Sequence, residues 1–190
     1  MQSKNNIDEL LADSFMEIAQ KVPIEKITIK EITDRAGVIR PTFYNHFQDK
    51  YEVIEWILRY RVFASVEVLL QNGMIKEATI LIFKNMQNNK GFYIRAAKLE
   101  GQNSFGSIVE KCVKEAFQEL FMEEVVNSTA LQKHPWMSKD MVSGYYANGI
   151  TFILMQWIQN GMNVPAEEMA VLCDYIENKS LRDIIEELKN

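Results

Sequence analysis

The chain has 190 residues, 47% of them hydrophobic and 25% charged, and a formal net charge of −5. These values are ordinary for a globular protein and exclude a disordered or collagenous chain. Eight glycines, four prolines and two cysteines argue against a turn-rich all-β fold and exclude a small disulfide-stapled scaffold; the negative balance excludes a surface coated in positive charge but not a local basic patch.

The spacing predicts helices along the whole chain. Ile7, Leu10, Leu11, Phe15 and Ile18 recur at the helical period and predict a first helix over 5–21. Val22-Pro23 ends it, because the residue before a proline avoids the helical region. Thr28-Ile29-Lys30-Glu31 is a capping box that opens a second helix, with Ile29, Ile32 and Ala36 inward. Gly37 stops that helix, and a short third one runs over 39–46. Asp49 to Glu52 cap a long fourth helix that buries Val53, Ile54, Ile57, Leu58 and Val62 and closes at Asn72-Gly73. Helices over 74–89, 91–100, 105–127, 138–161 and 165–178, and a short one from Ser180, complete the chain. Thr79 to Phe83 suits a strand in isolation, but its neighbours are helical, and no segment sustains a period of two. The expected fold is all-α. A three-helix helix-turn-helix domain over 1–48 is joined by a long helix to a C-terminal helical bundle over 49–190.

Residues 141–166 carry no charged side chain, yet polar residues and glycines interrupt them, and the longest strictly apolar run is Phe152 to Met155. A membrane span needs about 20 mostly apolar residues. The opening MQSKNNIDELLADSF lacks the apolar stretch of a signal peptide. The expected location is the cytoplasm, with Cys112 and Cys173 as buried, reduced thiols. The only histidines, His46 and His134, are not at metal-ligand spacing. No phosphate loop and no nucleophile–base pair can be read from spacing. No metal, cofactor or enzymatic activity is expected.

The chemistry is concentrated in TIKEITDRAGVIRPTFYNHFQDK, residues 28–50. Two short helices meet at the Ala36-Gly37-Val38 turn, with Ile32, Val38 and Phe43 available to fill the wedge between them. The third helix then offers Arg40, Pro41, Thr42, Tyr44, Asn45 and His46 outward. Arginine bonds guanine edges or phosphate, asparagine reads adenine, and Thr, Tyr and His donate to phosphate oxygens. Thr28 and Lys50, each at the start of a helix, are further phosphate candidates. Five basic residues against three acidic ones between Lys26 and Lys50 make the patch weakly positive.

Arg40-Pro41-Thr42-Phe43-Tyr44-Asn45-His46-Phe47, followed by Lys50, resembles the helix-turn-helix signature of the TetR/AcrR family of transcriptional regulators. The resemblance covers residues 5 to 60. Ile39 departs from the Ser or Thr frequent in the family at the start of the third helix. Tyr145-Tyr146-Ala147-Asn148-Gly149, Trp157 to Met162 and Pro165 to Met169 resemble one C-terminal type in that family, which includes regulators related to the activator of dihydroxyacetone kinase operons.

The resemblance implies a homodimer on a pseudo-palindromic double-stranded DNA operator, controlled by a small-molecule effector or a partner protein at the C-terminal domain, with no membrane involved. It also implies a four-helix dimer interface, with Ile150, Ile153, Leu154, Trp157, Ile158, Met169, Leu172, Cys173 and Ile176 as candidates. The same residues suit a core helix of a monomer, since a helix apolar on most sides must be buried on most sides. The family's usual ligand cavity has Phe92, Tyr93, Phe105, Phe117, Phe121, Trp136 and Tyr146 as candidate lining, although their spacing also suits plain core packing. The alternative of a different class is a protein-interaction adaptor whose DNA contact is secondary.

Overall fold

The computed structural model describes residues 2–120, 138–187 and 189. Side chains cut the N-terminal helices to length. α1 (Gln2–Ala19) stops ahead of Pro23, and a tight 3₁₀ turn follows at Ile24–Lys26. α2 (Ile29–Ala36) opens on the capping box. The Glu31 N–H donates to the Thr28 hydroxyl at 3.2 Å, and the Thr28 N–H donates to the Glu31 carboxylate at 2.8 Å. Gly37 closes α2 at φ 68°, a left-handed conformation that glycine adopts without a Cβ penalty. α3 (Arg40–Tyr44) starts at Ile39 without a side-chain cap. α4 (Lys50–Trp56) is capped by Asp49, which accepts from the N–H groups of Tyr51 and Glu52 at 2.8 and 2.9 Å.

The fourth helix does not stay regular. It widens to a π-helical segment over Ile57–Phe63 and tightens to a 3₁₀ turn over Ala64–Val66 before α5 (Glu67–Gln71). The buried side chains explain why. Ile54, Leu58, Val62 and Val66 recur every four residues and are all essentially fully buried. In a regular α-helix that spacing drifts by about 40° per step. A widened turn offsets the drift and keeps the row facing the core. An apolar row spaced by three and four residues is compatible with either winding, so the sequence pattern did not show the change.

The C-terminal helices are α6 (Ile75–Asn88), α7 (Lys90–Ala96), α8 (Phe105–Leu120), α9 (Lys139–Gln159), α10 (Ala166–Asn178) and α11 (Leu181–Glu187). α9 packs along α8, α10 along α6, and α1 along α2. Among the described residues there is no strand, and Thr79 to Phe83 lies within α6. No described helix is long and apolar enough to cross a membrane.

One contiguous core runs from Leu11, Phe15, Ile32 and Phe43 to Phe92, Phe105, Leu154 and Met169. Leu10, expected inside, is 40% exposed; Leu11, Ala12, Phe15, Met16 and Ala19 form the buried face of α1. At the centre Phe15 meets Phe92 edge to face, ring centres 5.9 Å apart, and Phe92, Tyr93 and Phe105 continue the aromatic chain. Burial pushes the Cys112 and Cys173 thiols up to about 12, so both serve as packing groups.

The helix pair expected to form a dimer interface is turned differently from the sequence reading. Leu154, Trp157, Ile158, Met169 and Cys173 are buried in their own chain, and Ile150 and Ile153 are half-buried against the same core. Trp157 stacks edge-on against Phe83 at 5.0 Å and donates from Nε1 to the Val164 carbonyl at 2.9 Å, holding the turn at Gly161-Met162. Of the nine candidates only Leu172 and Ile176 are exposed. The most exposed apolar side chains on α9 are instead Tyr145 and Phe152, at 75% and 65%, and on α10 Val171, Leu172 and Ile176 are exposed. A helix apolar on nearly all sides carries no period that says which face turns inward.

Phe15→Ala is expected to cost about 3–5 kcal/mol, the usual range for emptying a buried aromatic site. Urea unfolding followed by circular dichroism should show a lower midpoint for the whole chain in one transition, because the N-terminal helices and the bundle share this core.

Candidate nucleic-acid interface

The helix-turn-helix is held from beneath. Phe43 is fully buried under α3, Ile32 and Phe47 close the wedge, and Val38 fills its half-exposed edge. Phe43 touches Phe47 at 5.8 Å, and Tyr44 stands edge-on to Phe43 at 5.6 Å. This anchoring leaves Arg40, Pro41, Tyr44 and Asn45 exposed, with Thr42 half-exposed beside them. Tyr44 is 52% exposed. Ile39, noted in the sequence only as a departure from the family's Ser or Thr, is 69% exposed at the leading edge of this face. Such a side chain suits contact with a thymine methyl group.

Three other expected DNA contacts are committed elsewhere. The Lys50 ammonium donates to the carbonyls of Ile24, Glu25 and Ile27 at 2.8, 2.7 and 2.9 Å, which accounts for all three of its hydrogens. Partial burial lowers its pKa, against the opposing pull of Glu25, Asp49 and Glu31. Lys50 therefore clamps the turn between α1 and α2 instead of facing outward. His46 turns inward, its ring bonded through Nδ1 to Asp8 Oδ1 at 2.6 Å, with both side chains nearly buried. The Thr28 hydroxyl and N–H are spent on Glu31 in the capping box, and these two bonds hold the Glu31 carboxyl below its usual range.

Charges near the interface are also largely paired within the chain. Lys30 bonds Asp34 at 2.5 Å, and Arg35 pairs with Glu17 on α1. Among the described residues, Lys26 and Arg40 are the cations of the 26–50 segment whose side chains have no partner. Behind the reading head, Glu55 on α4 accepts from Lys111 of α8 at 2.9 Å and from Arg59 at 3.0 Å, and Arg59 also reaches Glu115. Burial raises the Glu55 carboxyl, but Lys111 and Arg59 outweigh it and hold it low. Arg61 donates to Asp13 at 2.7 Å and to the Glu9 carbonyl. The fourth helix is thus tied to α8 on one side and to α1 on the other.

The expected cavity aromatics divide. Phe92, Tyr93 and Phe105 are core residues, at most 2% exposed. Phe117 and Tyr146 line a cavity of about 250 Å³ among the C-terminal helices. Phe121 and Trp136 lie outside the described residues. Among the described residues, no group of three His, Cys, Asp or Glu side chains is placed to hold a metal ion.

Comparison with known proteins places this geometry. Residues 13–57 match the family described as bacterial regulatory proteins, tetR family, and residues 74–179 match transcriptional regulator C-terminal region. A curated relative, the HTH-type dhaKLM operon transcriptional activator DhaS of Lactococcus lactis subsp. lactis (strain IL1403), is 33% identical over 49 residues, which is 26% of this chain and 26% of the relative. The matched stretch therefore spans about a quarter of that protein's length. A solved structure described as dihydroxyacetone kinase operon activator DhaS has the same fold, with a TM-score of 0.58 and 19% identity over 90% of this chain and 93% of the other.

Lys50→Ala removes a donor from three carbonyls, of which the Ile24 carbonyl keeps the Ile27 N–H, and should cost about 1–2 kcal/mol of stability. Thermal melting should show this as a lower Tm. A phosphate contact would instead leave the Tm unchanged and flatten the salt dependence of DNA binding.

Proposed function

The chain belongs to the tetR family of bacterial regulatory proteins, and on that premise we propose that it regulates transcription as a homodimer on a pseudo-palindromic operator in the cytoplasm. No catalytic step enters this reading. Residues 1–48 form the DNA-reading domain, and residues 49–190 form the domain that dimerises and receives an effector or partner. Each subunit lays α3 in the major groove of one half-site. The observation that carries this is the exposed Arg40, Tyr44 and Asn45 face, set on a helix whose other side is fixed by buried Phe43. With Lys26 and Arg40 the unpartnered cations there, a single copy makes few phosphate contacts, and a second copy doubles them.

The dimer in this reading uses the apolar stripes of α9 and α10, with Tyr145 and Phe152 on the first and Val171, Leu172 and Ile176 on the second. Control runs through the fourth helix. It carries Lys50 and Asp49 at the reading head and Phe63 at the C-terminal cavity, so a change in the bundle shifts the spacing of the two α3 helices.

The test is selection of bound genomic fragments by the purified protein at near-physiological salt. A recovered pseudo-palindrome supports the reading. Featureless, salt-labile binding would favour a protein-interaction adaptor. On a recovered operator, Arg40→Ala is expected to cost about 1–3 kcal/mol in fluorescence anisotropy and to relax preference at one position per half-site. Phe152→Glu should yield folded monomers in analytical ultracentrifugation, whereas Trp157→Glu should unfold the bundle; a dimeric Phe152→Glu protein would remove α9 from the interface.

A further inference from the structure

The C-terminal cavity has a chemical bias that its walls define. Phe63, Ile82, Val113, Phe117, Ile150 and Leu154 supply carbon surface, drawn from the fourth helix, α6, α8 and α9. Among the described residues the polar side chains on the wall are few and mostly occupied or neutral. The Thr79 hydroxyl donates to the Ile75 carbonyl at 2.8 Å, and the Cys173 thiol stays protonated. Among the described residues the acidic group on the wall is Glu177, in the last turn of α10.

Among the described residues nothing donates to the Glu177 carboxylate. The neighbouring cation, Lys179, is drawn away: its ammonium pairs with Glu187 and lies 4.3 Å above the Tyr175 ring. Asp174, one turn earlier on α10, adds a second negative charge, and burial followed by that charge raises the Glu177 pKa. The C-terminal end of α10 contributes the negative pole of its helix dipole at the same place. The same cavity is lined by Tyr146, stacked on Phe117 with ring centres 5.8 Å apart and planes within 19°, and aromatic faces attract cations. An exposed carboxylate at the rim of a carbon-walled cavity is placed to meet the charged end of an otherwise apolar cation.

We propose that this cavity binds a small organic cation, its apolar body among the C-terminal helices and its ammonium group at Glu177. This names the effector class for the regulator described above and rests on that reading only for its consequence at DNA. Phe63, the last residue of the π-helical segment, forms part of the wall, so an occupant touches the helix that leads to the DNA-reading end.

The experiment is isothermal titration of the full chain, without DNA, with three probes of one shape: 1-naphthylmethylamine, 1-naphthylmethanol and 1-naphthoate. The amine is expected to bind at least about tenfold tighter than the alcohol, with the carboxylate weakest. Glu177→Gln, which alters an exposed rim residue, should keep the alcohol affinity and erase the preference for the amine. Ala116→Phe, which fills the cavity, should abolish binding of all three in a protein that still melts cooperatively. Equal binding of the three probes, no binding of the amine, or an amine preference that survives in Glu177→Gln would overturn the proposal. Operator binding is measured separately. Loss of amine selectivity with intact operator binding sinks the cavity inference alone, and selective amine binding without an operator sinks the regulator reading alone.

Discussion

The contact between Phe15 and Phe92 joins the N-terminal helices to the C-terminal bundle, and the rest of the architecture is arranged around it. Phe15 belongs to the helix that packs on α2, and Phe92 opens the aromatic chain leading to Phe105 on α8. Both rings are buried, within a core that continues through both halves of the chain. Close-packed interiors do not absorb displacement gradually. A reading head seated on such a core moves with the bundle beneath it rather than swinging on a loose linker.

The fourth helix is the second route between the halves, and its charges set how it is held. Arg59 and Glu55 engage Lys111 and Glu115 on α8, while Arg61 engages Asp13 and the Glu9 carbonyl on α1. The π-helical segment carries Arg59 and Arg61 of these contacts and ends at Phe63 on the cavity wall. Wide turns of this kind recur at functional sites, because one register of hydrogen bonds can be exchanged for another at modest cost.

Near α3 the chain neutralises most of its own positive charge. Lys30 is paired with Asp34, Arg35 with Glu17, and Lys50 with three backbone carbonyls. The result is a rigid head with few free cations, consistent with the negative balance of the whole chain. In the proposed reading, attraction to phosphate alone is correspondingly small and discrimination between sequences falls to base-edge contacts from α3.

Local signals in the sequence were sufficient for the existence of the described helices, though not for the change of winding in the fourth, and for the Thr28–Glu31 box, the Asp49 cap, the Gly37 turn and the inward rows of the fourth helix, because caps, glycines and apolar periods act over three or four residues. They also showed that Phe43 and Ile32 belong inside and that Arg40, Tyr44 and Asn45 stand on the outer face of α3. Tertiary structure decided what lies far apart along the chain. His46 turned to Asp8 and Lys50 to Ile24, Glu25 and Ile27, partners 23 to 38 residues away. The inward face of α9 was likewise settled by packing against α8 and Phe83, since a helix apolar all round carries no local mark of its orientation. The carboxylate at the cavity is also a product of the fold. Glu177 reads as one more surface acid until the packing of α10 on α6 sets it beside carbon, and the pull of Glu187 on Lys179 leaves it without a counter-charge among the described residues.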